Sequence, residues 1–382
     1  MGILSTIGRT LRQIAIVVGY LLLIGVIVLT ILFAHRSERE HRQSQPVTSF
    51  NITVEGTQRY TLIDEISMQA WIREHGIAPE ECSLAELNLS QLESVVLEHS
   101  AVASANAYTS YDGAVVMNIA QREPLMRLRT TSHNQYVDKN GYVFSATNGY
   151  AAYVPVVTGD YRPLFDGEFS GSIAEYVGDS IASTHRLIDA IEHEKYDIYR
   201  TKKRAQDDLK RVRDSVIRAP FWLSDATVQS MNNALKQYQE EYQIRYTQEE
   251  QKRDKMIEKH EAEQQKLYEK IARLEKRYHD FNSLITFVEW LSEDEFWAGE
   301  ITQIVIGEGG DGHIQLQVVP RSGDFVIDIG AVESIEHKFE SLEKFYSTVL
   351  SNVGWQTYNH VSVRYDGQVV CRKSPNVASE AE

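Results

Sequence analysis

The chain has 382 residues, a formal net charge of −15 and two cysteines. Acidity of that size excludes a nucleic-acid partner, which needs a basic patch, and argues against electrostatic docking of the chain as a whole to anionic lipid. Cys82 and Cys371 are too few and too far apart in sequence to form a disulfide framework or a CxxC metal or redox pair.

The first element is apolar. Ile14 to Phe33 reads IAIVVGYLLLIGVIVLTILF, without a charge. About 20 residues at ~1.5 Å each span the ~30 Å hydrocarbon core of a bilayer, and over that length only a helix satisfies its own backbone. The run exceeds the ~7–15 residues of a signal-peptide core, and Ala34-His35-Arg36-Ser37-Glu38 offers no small-x-small cleavage site. The sequence therefore predicts an uncleaved transmembrane helix over 14–33, a cytoplasmic tail over 1–13 and a polar linker over 34–48. Arg9 and Arg12 before the span are balanced by Arg36, Arg39 and Arg42 after it, so charge bias does not orient it. The inward tail rests instead on the large remainder reading as exported domains. Met1-Gly2-Ile3-Leu4-Ser5-Thr6 fits the loose myristoylation pattern, which adds little beside a span.

Phe50, Ile52 and Val54 alternate with polar residues, as in a half-buried strand. Thr61 reads as the cap of a helix to His75 with an apolar face of Ile63, Ile66, Ala70 and Trp71. Ser90-Gln91-Leu92-Glu93 reads as a capping box opening a second helix, with Leu92, Val95 and Val96 inward. Val102–Ala107 and Ala114–Ala120 form a hairpin across Tyr111-Asp112-Gly113. Strand, helix, helix, strand, strand makes a compact α+β unit, bounded here at 49–124. A second β-domain begins over 125–172, with a hairpin turning at Asp138-Lys139-Asn140-Gly141 and a strand over Tyr153–Val157, punctuated by Thr158-Gly159.

The pattern then becomes helical over 173–280. Leu187, Ile188, Ile191, Ile198, Leu209, Val212 and Val216 keep helical spacing, and Arg218-Ala219-Pro220 breaks it. Asp225 reads as the cap of a second helix with Val228, Met231, Leu235, Tyr238 and Tyr242. Leu267, Ile271, Leu274, Tyr278, Phe281, Ile285 and Val288 then step by four and three, a heptad seam that is thin and mostly charged between Gln243 and Gln265. Two antiparallel helices with a tip at Arg218–Ser224 follow, a coiled-coil-like hairpin inserted in the β-domain. Phe221-Trp222-Leu223 at that tip needs a cover; Phe221 and Trp222 are candidates for partner or lipid contact, against packing back on the hairpin. The β-domain resumes over 281–373 with strands Phe296–Ile306, Ile314–Val319 and Asp324–Ile329, a helix Val332–Val353, and a closing strand His360–Val370; 374–382 is a polar tail.

Phe50-Asn51-Ile52-Thr53-Val54-Glu55-Gly56, opening this unit behind a single span, resembles the POTRA domain of the bacterial cell-division family FtsQ/DivIB. Gln121-Arg122-Glu123-Pro124 stands where the family closes that domain with a Glu-Arg-x-Pro-like motif, here with Gln for the acid. Tyr136-Val137-Asp138-Lys139-Asn140-Gly141-Tyr142-Val143-Phe144 and Val154-Pro155-Val156-Val157-Thr158-Gly159 are similar to its next two motifs. Trp355-Gln356-Thr357-Tyr358 and Val361–Cys371 are similar to the closing strand of Bacteroidetes members. The likeness covers 1–160 and 281–373; the helical block departs from it.

The resemblance implies a non-enzymatic divisome scaffold in the bacterial inner membrane at the septum. Its exported domains would lie in the periplasm, with the POTRA unit meeting other division proteins and the closing strand meeting FtsB/DivIC-type and FtsL-type partners. An edge strand accepts a partner strand through main-chain hydrogen bonds. The candidate contacts are Phe345, Tyr346, Val361, Val363, Arg364, Tyr365, Gln368 and Val370, with Arg364 able to take a partner carboxylate. Two other readings compete: a POTRA-bearing envelope-assembly or export component, and a membrane-tethered coiled-coil regulator of a cell-wall hydrolase.

Catalytic and cofactor patterns are refused. Gly307–Gly312 lacks a following Gly-Lys-Ser/Thr and reads as a hairpin loop. His185 and His193 have no ligand partners at metal spacing, and Glu293-Asp294-Glu295 reads as a solvated helix end. No Gly-x-Ser-x-Gly elbow occurs. The expectation is no enzyme, no cofactor and no metal.

Overall fold

The computed structural model describes residues 23–34, 46–55, 61–146, 152–310, 312–365 and 367–374. Residues 23–34 form helix α1, whose large apolar side chains are exposed. No helix among the described residues is long and apolar enough to cross a membrane. Residues 14–22 of the expected span, the 1–13 tail and most of the 34–48 linker lie outside the described residues.

The chain divides into two compact units, residues 1–127 with 144–154, and residues 128–143 with 155–382. The first unit is built on a three-stranded sheet ordered β1-β3-β2. β1 (Ser49–Glu55) runs parallel to β3 (Ala114–Gln121), and β2 (Val102–Thr109) pairs with β3 in an antiparallel hairpin. Gly113, at φ 86°, supplies the left-handed residue that this turn requires. Two helices pack on the sheet, α2 (Glu65–Glu74) and α3 (Leu89–Leu97).

Both helices begin later or earlier than the sequence pattern indicates. Asp64, not Thr61, caps α2: its carboxylate accepts from Ser67 N at 2.6 Å, and Ser67 Oγ answers the Asp64 N–H at 3.3 Å. Starting there turns Met68 and Ile72 inward, and Ile66 and Ala70 face solvent. Asn88 caps α3, accepting from Gln91 N, so Ser90-Gln91-Leu92-Glu93 is no capping box. Glu93 instead accepts from the Ala107 N–H of β2 at 2.7 Å. Leu92 and Val96 fill the core as expected.

The second unit is built on a sheet ordered β13-β12-β11-β10-β9-β7-β4-β5-β6-β8. In chain order its strands are β4 (Pro124–Arg129), β5 (Asn134–Asp138), β6 (Tyr142–Ser145), β7 (Val156–Gly159), β8 (Gly171–Ser172), β9 (Ile301–Glu308), β10 (Ile314–Pro320), β11 (Val326–Gly330), β12 (Tyr358–Ser362) and β13 (Val370–Lys373). β7 takes in Thr158-Gly159, the pair expected to end it. A Cβ on Gly159 would sit inside the Ile306 carbonyl of the neighbouring parallel strand β9, so only glycine allows this approach. Phe296–Glu300, expected as strand, is instead helix α6 (Glu295–Glu300), because Asp294 accepts from the N–H groups of Phe296 and Trp297 and turns the chain.

Helix α4 (Ile173–Arg213) and helix α5 (Asp225–Glu293) pack antiparallel. At ~1.5 Å per residue they are about 60 and 100 Å long. The stretch with few apolar residues keeps the heptad step. Tyr246, Glu250, Arg253, Ile257, His260, Gln264, Leu267 and Ile271 all turn away from solvent at intervals of four and three. Gln264 and Glu250 of this seam have partners across the pair. Lys195 Nζ meets Gln264 Oε1 at 3.0 Å, Gln264 Nε2 meets the Ile188 carbonyl, and Lys202 bridges Glu250 and Asp254 at 3.6 and 2.7 Å. Polar groups matched in this way set one register for two long helices. The expected boundary at 280/281 falls inside α5, which runs on to Glu293 and buries Phe281, Leu284, Ile285, Phe287, Val288 and Leu291.

Candidate partner-binding site

The expected closing strand His360–Val370 is a hairpin. β12 ends at Ser362, the chain turns through 365–368 with Gly367 at φ 66°, and β13 returns antiparallel to β12. β12 itself is interior, lying parallel to β11 on its other side. The sheet edge is therefore β13, four residues long, and among the described residues no strand pairs with its outer side.

A polar cluster around buried Asp328 holds this corner. Asp328, in the middle of β11, accepts from Arg364 Nε and Nη2, each at 3.2 Å, and from Ser362 Oγ at 3.2 Å. This pairing raises the Arg364 pKa above its ordinary value, with the hydrogen bond to Asp328 as the largest cause. Arg364 lies over Gly330, whose added Cβ would stand 2.8 Å from Arg364 Cγ. The Val363 N–H donates to the Asp328 carbonyl at 2.9 Å.

Helix α7 (Ile335–Phe345) covers the sheet and continues through a π-turn at Tyr346–Leu350 into the short α8 (Ser351–Val353). Buried Lys338 fixes its start, donating to the carbonyls of Ile329 and Ala331 at 3.0 and 2.8 Å. At its other end the Tyr346 hydroxyl donates to Glu300 at 3.2 Å, and Glu300 also accepts from the Ser322 hydroxyl. Burial, then the adjacent Glu300 carboxylate, pushes the Tyr346 hydroxyl pKa well above its ordinary value. Phe296, Trp297, Tyr346 and Trp355 line a hollow of about 320 Å³ rimmed by Asp294 and Glu343.

The eight candidate contact residues divide by burial. Phe345, Tyr346, Val361 and Val363 are core, at most 6% exposed, with Tyr346 also lining the hollow. Arg364 is held by Asp328 with part of its guanidinium in solvent. Tyr365, Gln368 and Val370 are exposed, on the turn and the edge strand. The sequence reading passed over Asp328, Lys338 and Glu300. Asp328 had a legible signal: a lone carboxylate inside Phe325-Val326-Ile327-Asp328-Ile329 has to find a partner.

At the other end of the unit, Phe221 and Trp222 are 95% and 72% exposed and stack on each other edge to face, with centroids 5.2 Å apart. Among the described residues no group of three or more His, Cys, Asp or Glu side chains could hold a metal, and His185 and His193 stand exposed on α4. Cys82 and Cys371 are free thiols.

Residues 45–120 match the profile of the POTRA-like domain, and residues 246–372 match that of the FtsQ/DivIB, C-terminal related domain. The second match starts inside α5, so the returning arm of the hairpin belongs in part to the matched domain. No curated protein matches the chain. With a POTRA-like unit followed by an FtsQ/DivIB C-terminal-related domain in one polypeptide, the chain belongs to the FtsQ/DivIB family of cell-division proteins.

Proposed function

We propose that the chain is a single-pass inner-membrane scaffold of the division machinery, without catalytic activity, that captures a strand from an FtsB/DivIC-type or FtsL-type partner on the outer side of β13. The observation that carries this reading is the unpaired edge of β13 on an otherwise continuous sheet. A partner strand there gains main-chain hydrogen bonds, while exposed Val370, Gln368 and Tyr365 offer side-chain contacts. The apolar run 14–33 serves as the anchor, with 1–13 in the cytoplasm and both units in the periplasm. The exposed apolar surface of α1 supports that role, since it lacks a protein cover among the described residues.

A proline scan through Val370–Lys373 tests the docking site. Proline at the positions whose N–H points away from β12 should cost more than tenfold in affinity for the partner's periplasmic segment and leave the melting curve unchanged. Affinity unchanged across the scan refutes the edge. A fluorescent fusion that fails to concentrate at midcell refutes the division role itself.

A further inference from the structure

The tip of the α4–α5 hairpin has a charge balance unlike that of the shaft. From Glu240 to Glu263 the shaft carries eight acidic side chains, whereas from Ser215 to Gln239 the only acid is Asp225. Across 210–239 the basic residues Lys210, Arg211, Arg213, Arg218 and Lys236 stand against Asp214 and Asp225. Arg213 pairs with Asp214 and Arg211 with Asp208, in each case on the exposed surface. A chain that is strongly acidic overall thus ends its longest projection in a locally basic cap.

The same cap exposes its apolar groups. The connection 214–224 is not helical: α4 ends at Arg213, seven residues ahead of Pro220, and α5 begins at Asp225. It leaves Val216, Phe221 and Trp222 in solvent, and Met231 and Tyr238 on the first turns of α5 are also exposed. A stable protein interface buries roughly 800 Å² per partner. A tip only a few side chains wide does not supply that area, but a bilayer surface asks for less. Tryptophan and phenylalanine insert at the headgroup level, and arginine and lysine are drawn to anionic headgroups within a Debye length.

We infer that the hairpin tip docks on an anionic lipid surface, with Phe221 and Trp222 inserted and Arg211, Arg213 and Arg218 over the headgroups. The inference rests on the reading of the chain as a resident of the cell envelope, beside a membrane. The hairpin would then be a second membrane contact, separate from the N-terminal anchor, and its arms would be spacers of set length.

The test uses the full chain reconstituted into lipid nanodiscs through its N-terminal segment. Brominated phosphatidylglycerol mixed with phosphatidylcholine is placed either in the disc or in vesicles added to it. Bromine quenches indole only on contact, and the chain has five tryptophans, so the contribution of Trp222 is the difference between wild type and Trp222→Phe. The expected result is a Trp222-specific quench in at least one arm. It should vanish when the bromine is carried instead by pure phosphatidylcholine, and vesicle affinity should drop more than tenfold in the triple variant R211Q/R213Q/R218Q with its helical circular dichroism unchanged. No Trp222-specific quench in either arm overturns the inference, as does equal quenching in neutral and anionic lipid. A chain that does not enter the disc overturns the anchor instead, and the vesicle arm, run on the chain in amphipol, still decides the tip.

Discussion

Asp328 is the residue on which the corner proposed to meet a partner depends. Asp328, 7% exposed in β11, holds Arg364 and Ser362 together through its carboxylate and so fixes where the chain leaves the sheet toward exposed Tyr365. Asp328→Ala should destabilise the chain by roughly 1–3 kcal/mol, because Ser362 and the inner face of Arg364 lose their acceptor. A double-mutant cycle with Arg364→Ala should return a coupling of about 0.5–3 kcal/mol, and a coupling of zero in chemical denaturation would remove the pair from the account. His99 makes a pH prediction. Burial lowers its pKa below the ordinary imidazole value, and the ring meets Trp71 edge to face. The unfolded chain therefore binds the proton at a higher pH than the folded one. Stability should be full above about pH 6.5 and fall as pH drops through the unfolded pKa. From pH 8 to 5 the unfolding free energy of wild type should fall relative to that of His99→Phe; a difference independent of pH contradicts the assignment.

The decisive element is α5, since one helix serves both hairpin and domain. Its distal part touches only α4 among the described elements, and its last four turns are core. Excising Glu194–Lys259 and joining the ends by a short turn should shift the melting temperature by no more than about 5 °C, because the lost contacts lie within the removed pair apart from those of Glu194 and Lys195 with the retained His260 and Gln264. Extending the excision through Phe287 should abolish the cooperative transition, since Phe281, Leu284, Ile285 and Phe287 leave with it. A cooperative melt after the longer excision would show that the sheet folds without its helix.

At the scale of the molecule, the two units and the N-terminal apolar run make a topological prediction. Protease added to spheroplasts should digest both units of the chain and spare residues 1–13. Protection of the units would place them in the cytoplasm and reverse the proposed orientation. The four exposed or partly exposed candidates, Arg364, Tyr365, Gln368 and Val370, can meet a partner only from the side on which the units lie.

The sequence alone determined the elements whose signals are local. Glycine turns, strand alternation in β1 and the heptad step of α5 each depend on residues within a few positions, so they could be read directly, whereas α4 ends at Arg213, ahead of the break expected at Pro220. It also carried the resemblance to the FtsQ/DivIB family, which both family matches support. Tertiary structure decided what depends on pairing between distant segments. That β12 is interior and β13 the edge follows from β11 lying alongside, about 30 residues earlier in the chain. That Tyr346 and Val363 are core while Tyr365 is surface follows from the helix and sheet closing over them, since an aromatic or a valine has the same local pattern in a core as at an interface. That Lys195, Lys202 and Gln264 belong to the helical seam was decided by partners on the opposite arm, up to 76 residues away, where a hydrogen bond offsets the cost of turning a polar group inward.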